Sequence, residues 1–286
     1  MEGVLRQPAF IAVALVFVVI EAIWRLRTGR GYDWAGAFAS LGVAIGNTVL
    51  RPLNGADIAG ALGAAYLVSP VKLPVDDWRV WIVAFFAVEF CYYWFHRWSH
   101  TIRWMWASHA VHHSATEFGF TAAIRLGWTG ALSGGWIAFV PLALCGFHPL
   151  MIGGFLAANL AYQFFLHTEA VERLGPLEWV FNTPAHHRVH HACNPEFLDK
   201  NFGGVLIIFD RMFGTLGVER PGARLRYGLA SGFRSANPIK IAFHEWAVLW
   251  SHMARETSLR RALLVALSRP NDASHAPDRK RISLNA

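Results

Sequence analysis

Val80–His100 reads VWIVAFFAVEFCYYWFHRWSH, an apolar run from Val80 to Phe95 whose only charge is Glu89 and which passes directly into the His96/His100 pair. A charge-poor run of this kind predicts a membrane-spanning helix. Residues four apart share a helix face, so both imidazoles can be aimed at one ion. Working outward, Ala9–Trp24, Ala35–Leu50, Ile58–Val68, Leu126–Phe147 and Pro149–Leu166 are further apolar runs. No small-residue cleavage site follows the first, so it reads as a retained span. Ile58–Val68 reads equally as a third span, a re-entrant piece or a buried soluble helix. Leu126–Phe147 and Pro149–Leu166 are uncharged and separated only by His148, which predicts a tight helical hairpin. Two antiparallel passes return the chain to the face it left, so the histidines at 96–113 and at 167–191 are expected on one side.

The 286 residues are 54% hydrophobic and 16% charged, which excludes a disordered chain. Three cysteines and no CxxC exclude a disulfide scaffold and a thiolate zinc module. The net charge of +7 does not form a nucleic-acid-binding stripe. Its cations flank apolar runs, and the 13 tryptophans suit a headgroup belt. Arg25, Arg27 and Arg30 follow the first run, and Arg97, Arg103 and Arg188 accompany the histidines, so both loops are expected on the cytoplasmic side. That requires an even number of crossings between Gly31 and Phe95, so Ile58–Val68 is expected not to cross. The expected fold is an all-α, polytopic integral membrane bundle with a cytoplasmic histidine-rich metal-binding cap. The expected division is 1–79 for N-terminal spans, 80–215 for the catalytic domain and 216–286 for a cytoplasmic segment with a mobile tail. The cell inner membrane is the expected location, with the active site on its cytoplasmic side.

Eight of the 14 histidines carry the pattern. His96/His100 form an HxxxH; His109/His112/His113 and His187/His190/His191 each form an HxxHH, whose three rings are expected on one helical face. Buried neutral imidazoles in such number need a cation to satisfy them. Eight or more exceed one tetrahedral zinc site, and no HExxH is present, so two metal ions are implied. Imidazole alone does not choose among iron, copper, zinc and nickel. A histidine-rich membrane metal transporter or sensor is the competing class. It would favour ionisable residues in the span centres, where this chain has few.

HRWSH, HAVHH and NTPAHHRVHH resemble the histidine boxes of the sterol desaturase and fatty acid hydroxylase superfamily. The stretches Gln163–Glu169, Leu174–Glu178, Asn182–His191, Asp199–Gly204 and Phe213–Thr215 are similar to its alkylglycerol monooxygenase branch. The resemblance covers roughly 80–215. It implies a non-haem di-iron oxygenase that hydroxylates, or desaturates, an unactivated C–H bond of a membrane lipid with O2 and external electrons. His96, His100, His109, His112, His113, His167, His187, His190 and His191 would be metal ligands, and His186 a supporting neighbour. With too few cysteines for an iron–sulfur cluster and no GxGxxG, electrons are expected from a separate donor protein or from a reduced pterin, as that branch uses. Gly119 and Gln163 depart from the family pattern, which places Asn and, in some members, His there. One metal would then take a glutamine oxygen or water from the Gln163 position. Asp199 and Asn201 read either as partners that orient an imidazole or as a plain turn. Arg125 reads as a headgroup contact or an interfacial anchor, and Tyr162, Phe164, Phe165 and Trp128 as possible walls of a lipid path. His148, His244, His252 and His275 are expected outside the site.

Overall fold

The computed structural model describes residues 8–220 and 222–270, so His275 and most of the tail lie outside the described residues. The chain is helical throughout: α1 (Pro8–Arg27), α2 (Trp34–Val68), α3 (Trp78–Thr101), α4 (Arg103–His113), α5 (Phe120–Ala123), α6 (Val140–Leu144), α7 (Pro149–Leu166), α8 (Pro184–His191), α9 (Ile208–Met212), α10 (Pro238–Met253) and α11 (Leu259–Leu267). Among the described residues, β pairing is limited to two isolated bridges, Phe181 with Leu206 and Ala192 with Tyr227.

Length and composition make α1 and α7 able to cross a bilayer, with mean hydropathies of 2.3 and 1.4. α2 and α3 also turn large apolar side chains outward, among them Phe38, Ile45, Val49, Trp78, Ile82 and Phe86. The inner faces meet in one core, where Ala84, Val88 and Tyr92 of α3 pack with Leu62, Leu142, Ile152 and Leu156. Each large apolar side chain fully buried there contributes about 1.5–3 kcal/mol.

α2 revises the expected order of spans. Ala35–Leu50 and Ile58–Val68 are the two halves of one 35-residue helix that passes through Pro52, with Asp33 capping its start by accepting from Gly36 N at 2.8 Å. Such a helix is about 52 Å long. Two helices, α2 and α3, therefore occupy the interval where three apolar runs were expected.

Leu126–Phe147 revises it again. The stretch is a turn, a 3₁₀ helix over Gly135–Phe139 and the short α6, not one leg of helix. Gly127, Gly130, Gly134, Gly135 and Pro141 break the helical ladder. The freed backbone groups find α2 side chains instead. Asn47 Nδ2 donates to Gly127 O at 2.8 Å, and Asn54 both donates to Trp128 O and accepts from Ala131 N, each at 2.9 Å. The segment still carries the chain from the histidine end to the opposite end, where Leu73 N donates to Gly146 O at 3.0 Å. His148 sits there and caps α7.

α1 docks on the histidine end. Its buried Glu21 accepts from Phe120 N at 2.7 Å and from Thr168 Oγ1 at 2.8 Å. A Cβ on Gly119 would lie 2.6 Å from that carboxylate, so glycine at this position is what admits Glu21. Arg25 donates to Phe118 O at 3.2 Å and pairs with Glu117 and Glu169 at 3.2 and 3.0 Å.

Candidate metal centre

Four pieces of chain supply the nine histidines. His96 and His100 end α3; Ile102, in extended conformation, then turns the chain so that α4 brings back His109, His112 and His113. His167 follows the last residue of α7. Pro184 opens α8, the position where its missing N–H costs nothing, and α8 carries His187, His190 and His191.

The nitrogens sort into two groups, His96/His100/His109/His113/His190 and His112/His167/His187/His191, each with its atoms within 4.8 Å of one another. The HxxHH spacing is what divides them. In α4 the i, i+4 pair joins the first group and His112 the second; in α8 the i, i+4 pair joins the second and His190 the first. The three rings of each HxxHH box therefore divide between the two groups. The groups touch through His113 and His191, stacked at 4.3 Å between centroids.

Backbone carbonyls set the ring tautomers. Nδ1 of His96, His112, His167 and His190 lies against the carbonyls of Phe202, Arg125, Gln163 and Lys200 at 2.9, 3.2, 2.7 and 2.9 Å. A carbonyl only accepts, so each Nδ1 carries the proton and each neutral ring turns a bare Nε2 inward. His112 and His167 thus face each other lone pair to lone pair at 3.3 Å. The other Nε2 pairs, His96/His109, His113/His109 and His187/His167, stand at 3.1, 3.2 and 3.2 Å. Two imidazoles sharing a metal tetrahedrally at about 2.0–2.1 Å would be separated by roughly 3.3 Å. His100 Nε2, His187 Nδ1, His190 Nε2 and His191 Nε2 are buried with no hydrogen-bond partner. Burial, reinforced by the neighbouring rings, holds His109, His113, His187, His190 and His191 well below the ordinary imidazole range. Burial takes His112 down to about 4. Neutral, desolvated, unpartnered nitrogens at these separations fit a pair of cations.

The supporting residues divide differently from expectation. Asp199 and Asn201 adopt left-handed backbone, φ 57° and 58°, which Asn and Asp tolerate best among non-glycines. Their turn aims the Lys200 and Phe202 carbonyls at His190 and His96. Asn201 spans to α8, donating to His186 O and Gly217 O at 2.9 Å each. Asp199 Oδ1 is 3.9 Å from His100 Nδ1. Gln163 serves through its carbonyl; its side chain turns away to Tyr92 and Asn159, so its amide oxygen is not offered to a metal. His186 is in neither group and contacts Thr183 Oγ1 at 3.4 Å. Arg125 is buried, donating to Ser40 Oγ, Ser114 Oγ and Gly36 O at 2.8, 3.1 and 2.9 Å. Its guanidinium ties α2 to the end of α4 and borders a small open pocket with Tyr32, Asp33 and Glu117. Tyr162 donates to Asn182 O, Trp128 to Val43 O, and Phe164 and Phe165 pack on Phe10, so these four are structural contacts.

Two carboxylates escaped the sequence reading. Asp210 accepts from Phe202 N and Gly203 N at 2.8 and 2.7 Å and so fixes the carbonyl that holds His96. Glu89 accepts from Val205 N and Leu206 N at 2.8 and 3.0 Å, clamping the same loop to α3. The available signal was a single acid within an apolar run, at Glu89 and again between Gly203 and Phe213.

A shallow cleft, open to solvent, reaches the first group and His191 of the second past His100, His113, His190, Trp106, Asp199 and Leu229. On the other side Phe118 covers the second group, stacked on His167 at 5.4 Å and on Tyr227 at 5.2 Å.

The fatty acid hydroxylase family model matches residues 81–215. Human alkylglycerol monooxygenase is 43% identical over 180 residues, covering 63% of this chain and 40% of that protein. The Xenopus tropicalis enzyme of the same name is 37% identical over 181 residues, with the same coverage of 63% and 40%. Ornithine lipid hydroxylase OlsE of Rhizobium tropici is 29% identical over 225 residues, covering 74% of this chain and 65% of that protein. The chain thus spans 40% of the length of the alkylglycerol monooxygenases it matches. No solved structure matches it.

Proposed function

Residues 81–215 belong to the fatty acid hydroxylase family, similar to its alkylglycerol monooxygenase branch, and on that premise we propose that the chain is a membrane-bound di-iron monooxygenase that hydroxylates an unactivated C–H bond of a lipid. The observation that carries the metal reading is the His112/His167 pair, two bare lone pairs at 3.3 Å that only a cation reconciles. One iron would be held by His96, His100, His109, His113 and His190, the other by His112, His167, His187 and His191. Bound iron would supply activation of O2, one oxygen atom entering the C–H bond and the other leaving as water with two electrons and two protons from a separate reductant. The protein's own part is to keep the imidazoles neutral by burial, to fix their tautomers at Nδ1 with backbone carbonyls, and to exclude water from the second group with Phe118.

The cleft beside the first group is where the reacting carbon would approach. An electron-donor protein or a reduced pterin would complete the system. The division at 80 and 215, the cytoplasmic placing of the histidine end and the inner-membrane location belong to the same proposal; Arg25 and Arg30, paired with Glu169 at that end, agree with the positive-inside rule. Against the transport alternative, Glu89, the one charge in the apolar run of α3, is engaged by Asn159 and two backbone N–H groups.

The test is product analysis of iron-loaded protein in lipid nanodiscs with a chemical reductant, using alkyl ether lipids and ornithine lipids under labelled O2. A hydroxylated lipid carrying labelled oxygen is expected. Oxygen-independent metal flux into liposomes, with no oxidised lipid, would reverse the reading in favour of transport, and an alkene product would assign desaturation.

A further inference from the structure

α10 has an apolar inner face, Ile241, Trp246 and Leu249, packed on Val43, Ala107 and Val111. Its outer face is apolar as well. Ile239, Phe243, Ala247 and Trp250 fall on one stripe at helical spacing and all are exposed, Ile239 by 62% and Trp250 by 51%. α11 repeats the arrangement. Val265 and Ala266 join the α10 core, while Leu259, Leu263, Leu264 and Leu267 are 75, 50, 56 and 63% exposed. A water-facing helical pair does not leave both stripes bare.

Charge and continuity identify the cover. Between Asn237 and Pro270 there are five cations, Lys240, Arg255, Arg260, Arg261 and Arg269, against Glu245 and Glu256. Arg260 and Arg261 flank the exposed leucines, where long side chains can reach phosphate while their stems stay in the apolar layer. The start of α10 lies directly against α2, with Pro238 2.4 Å from where a Cβ on Gly42 would stand. Ile239 and Phe243 therefore extend the outward apolar surface of α2 that carries Phe38 and Ile45.

We propose that α10 and α11 form an interfacial hairpin whose outer faces lie in the headgroup layer of an anionic bilayer. The inference rests on the membrane reading of the proposed function and not on its metal chemistry. It also gives the cleft a supply. α11 runs into Ser268, whose carbonyl accepts from Arg103 N at 2.9 Å, and Pro270 borders the cleft. An embedded α11 brings that mouth to the lipid surface, so a headgroup-bearing substrate reaches the histidines without leaving the interface.

Single cysteines at Leu15→Cys (α1), Phe243→Cys, Leu264→Cys and Arg224→Cys, in a chain with Cys91, Cys145 and Cys193 replaced by alanine, would each carry an environment-sensitive fluorophore in phosphatidylcholine/phosphatidylglycerol proteoliposomes. Labels at 243 and 264 should lose fluorescence to a nitroxide placed near the lipid headgroup and resist aqueous iodide, as the label at 15 resists it. The label at 224 should show the reverse. Arg260→Glu with Arg261→Glu should reduce lipid quenching at 264. Iodide quenching at 243 and 264 with the label at 15 still shielded from iodide would overturn the hairpin alone; iodide quenching at 15 as well would overturn the membrane reading. Shielding of 264 from both quenchers, with disulfide dimers forming through it, would assign the face to a second copy of the chain and equally overturn the proposal.

Discussion

At the scale of single residues, the account turns on which atoms are left without a partner. His187→Ala removes one nitrogen from the four-membered group and leaves His167 facing empty space. Metal at that group should fall with lipid hydroxylation abolished, while the first group keeps its ion, as read by metal analysis of the purified variant. Asp210→Asn takes away a charge that fixes the Phe202 carbonyl against His96. Removal of such an outer contact lowers metal affinity by about 10–100-fold, which competition with a chelator would measure. Arg125→Ala leaves the Ser40, Ser114 and Gly36 oxygens without their donor and should cost about 1–3 kcal/mol of stability. Because the guanidinium is engaged by these three oxygens, headgroup preference in the lipid assay should not change; a changed preference would favour the headgroup contact over the interfacial anchor that the sequence offered beside it. Eight of the nine histidines were legible because three short boxes place them at helical spacing, and His167 through the family resemblance. The carbonyls of Arg125, Gln163, Lys200 and Phe202 were not, since a backbone acceptor carries no residue signature.

At the scale of elements, hydropathy found the long apolar segments before Leu166 but not how they join. Pro52 and the charges of Arg51 and Asp57 divide the α2 region into two apolar runs on paper, yet the helix continues through them, so three runs become two helices between Gly31 and Phe95. Leu126–Phe147 is uncharged throughout and reads as a span. Its glycines and Pro141 outweigh that apolarity only because Asn47 and Asn54 of α2 satisfy the broken backbone, a tertiary contact that no local pattern displays. Asn54→Leu should therefore leave α2 intact while loosening the 128–131 turn, seen as faster amide hydrogen exchange at Ala131 and little change within α2. The split of each HxxHH between two groups is of the same kind: spacing fixes which rings share a helix face, and the crossing of α4 with α8 decides which ion each ring meets.

Over the whole molecule, α1, α2, α3 and α7 hold the histidines of 96–113 and 167–191 at one end, and burial keeps the imidazoles neutral. His112 and His186 are both held near 4 against an ordinary 6.5. The unfolded chain then binds protons that the folded chain does not, so metal-free protein should lose stability as pH falls from 6.5 towards 4 and be steady above that window. Denaturant midpoints in detergent against pH would show it. The central claim is that two groups of imidazoles hold two ions. Iron per chain, measured on reconstituted wild-type protein and on His113→Ala and His187→Ala, tests this most directly. The account predicts two irons in the wild type and one in each variant, retained at opposite groups. A wild-type content of one, or a content unchanged by either substitution, would contradict it.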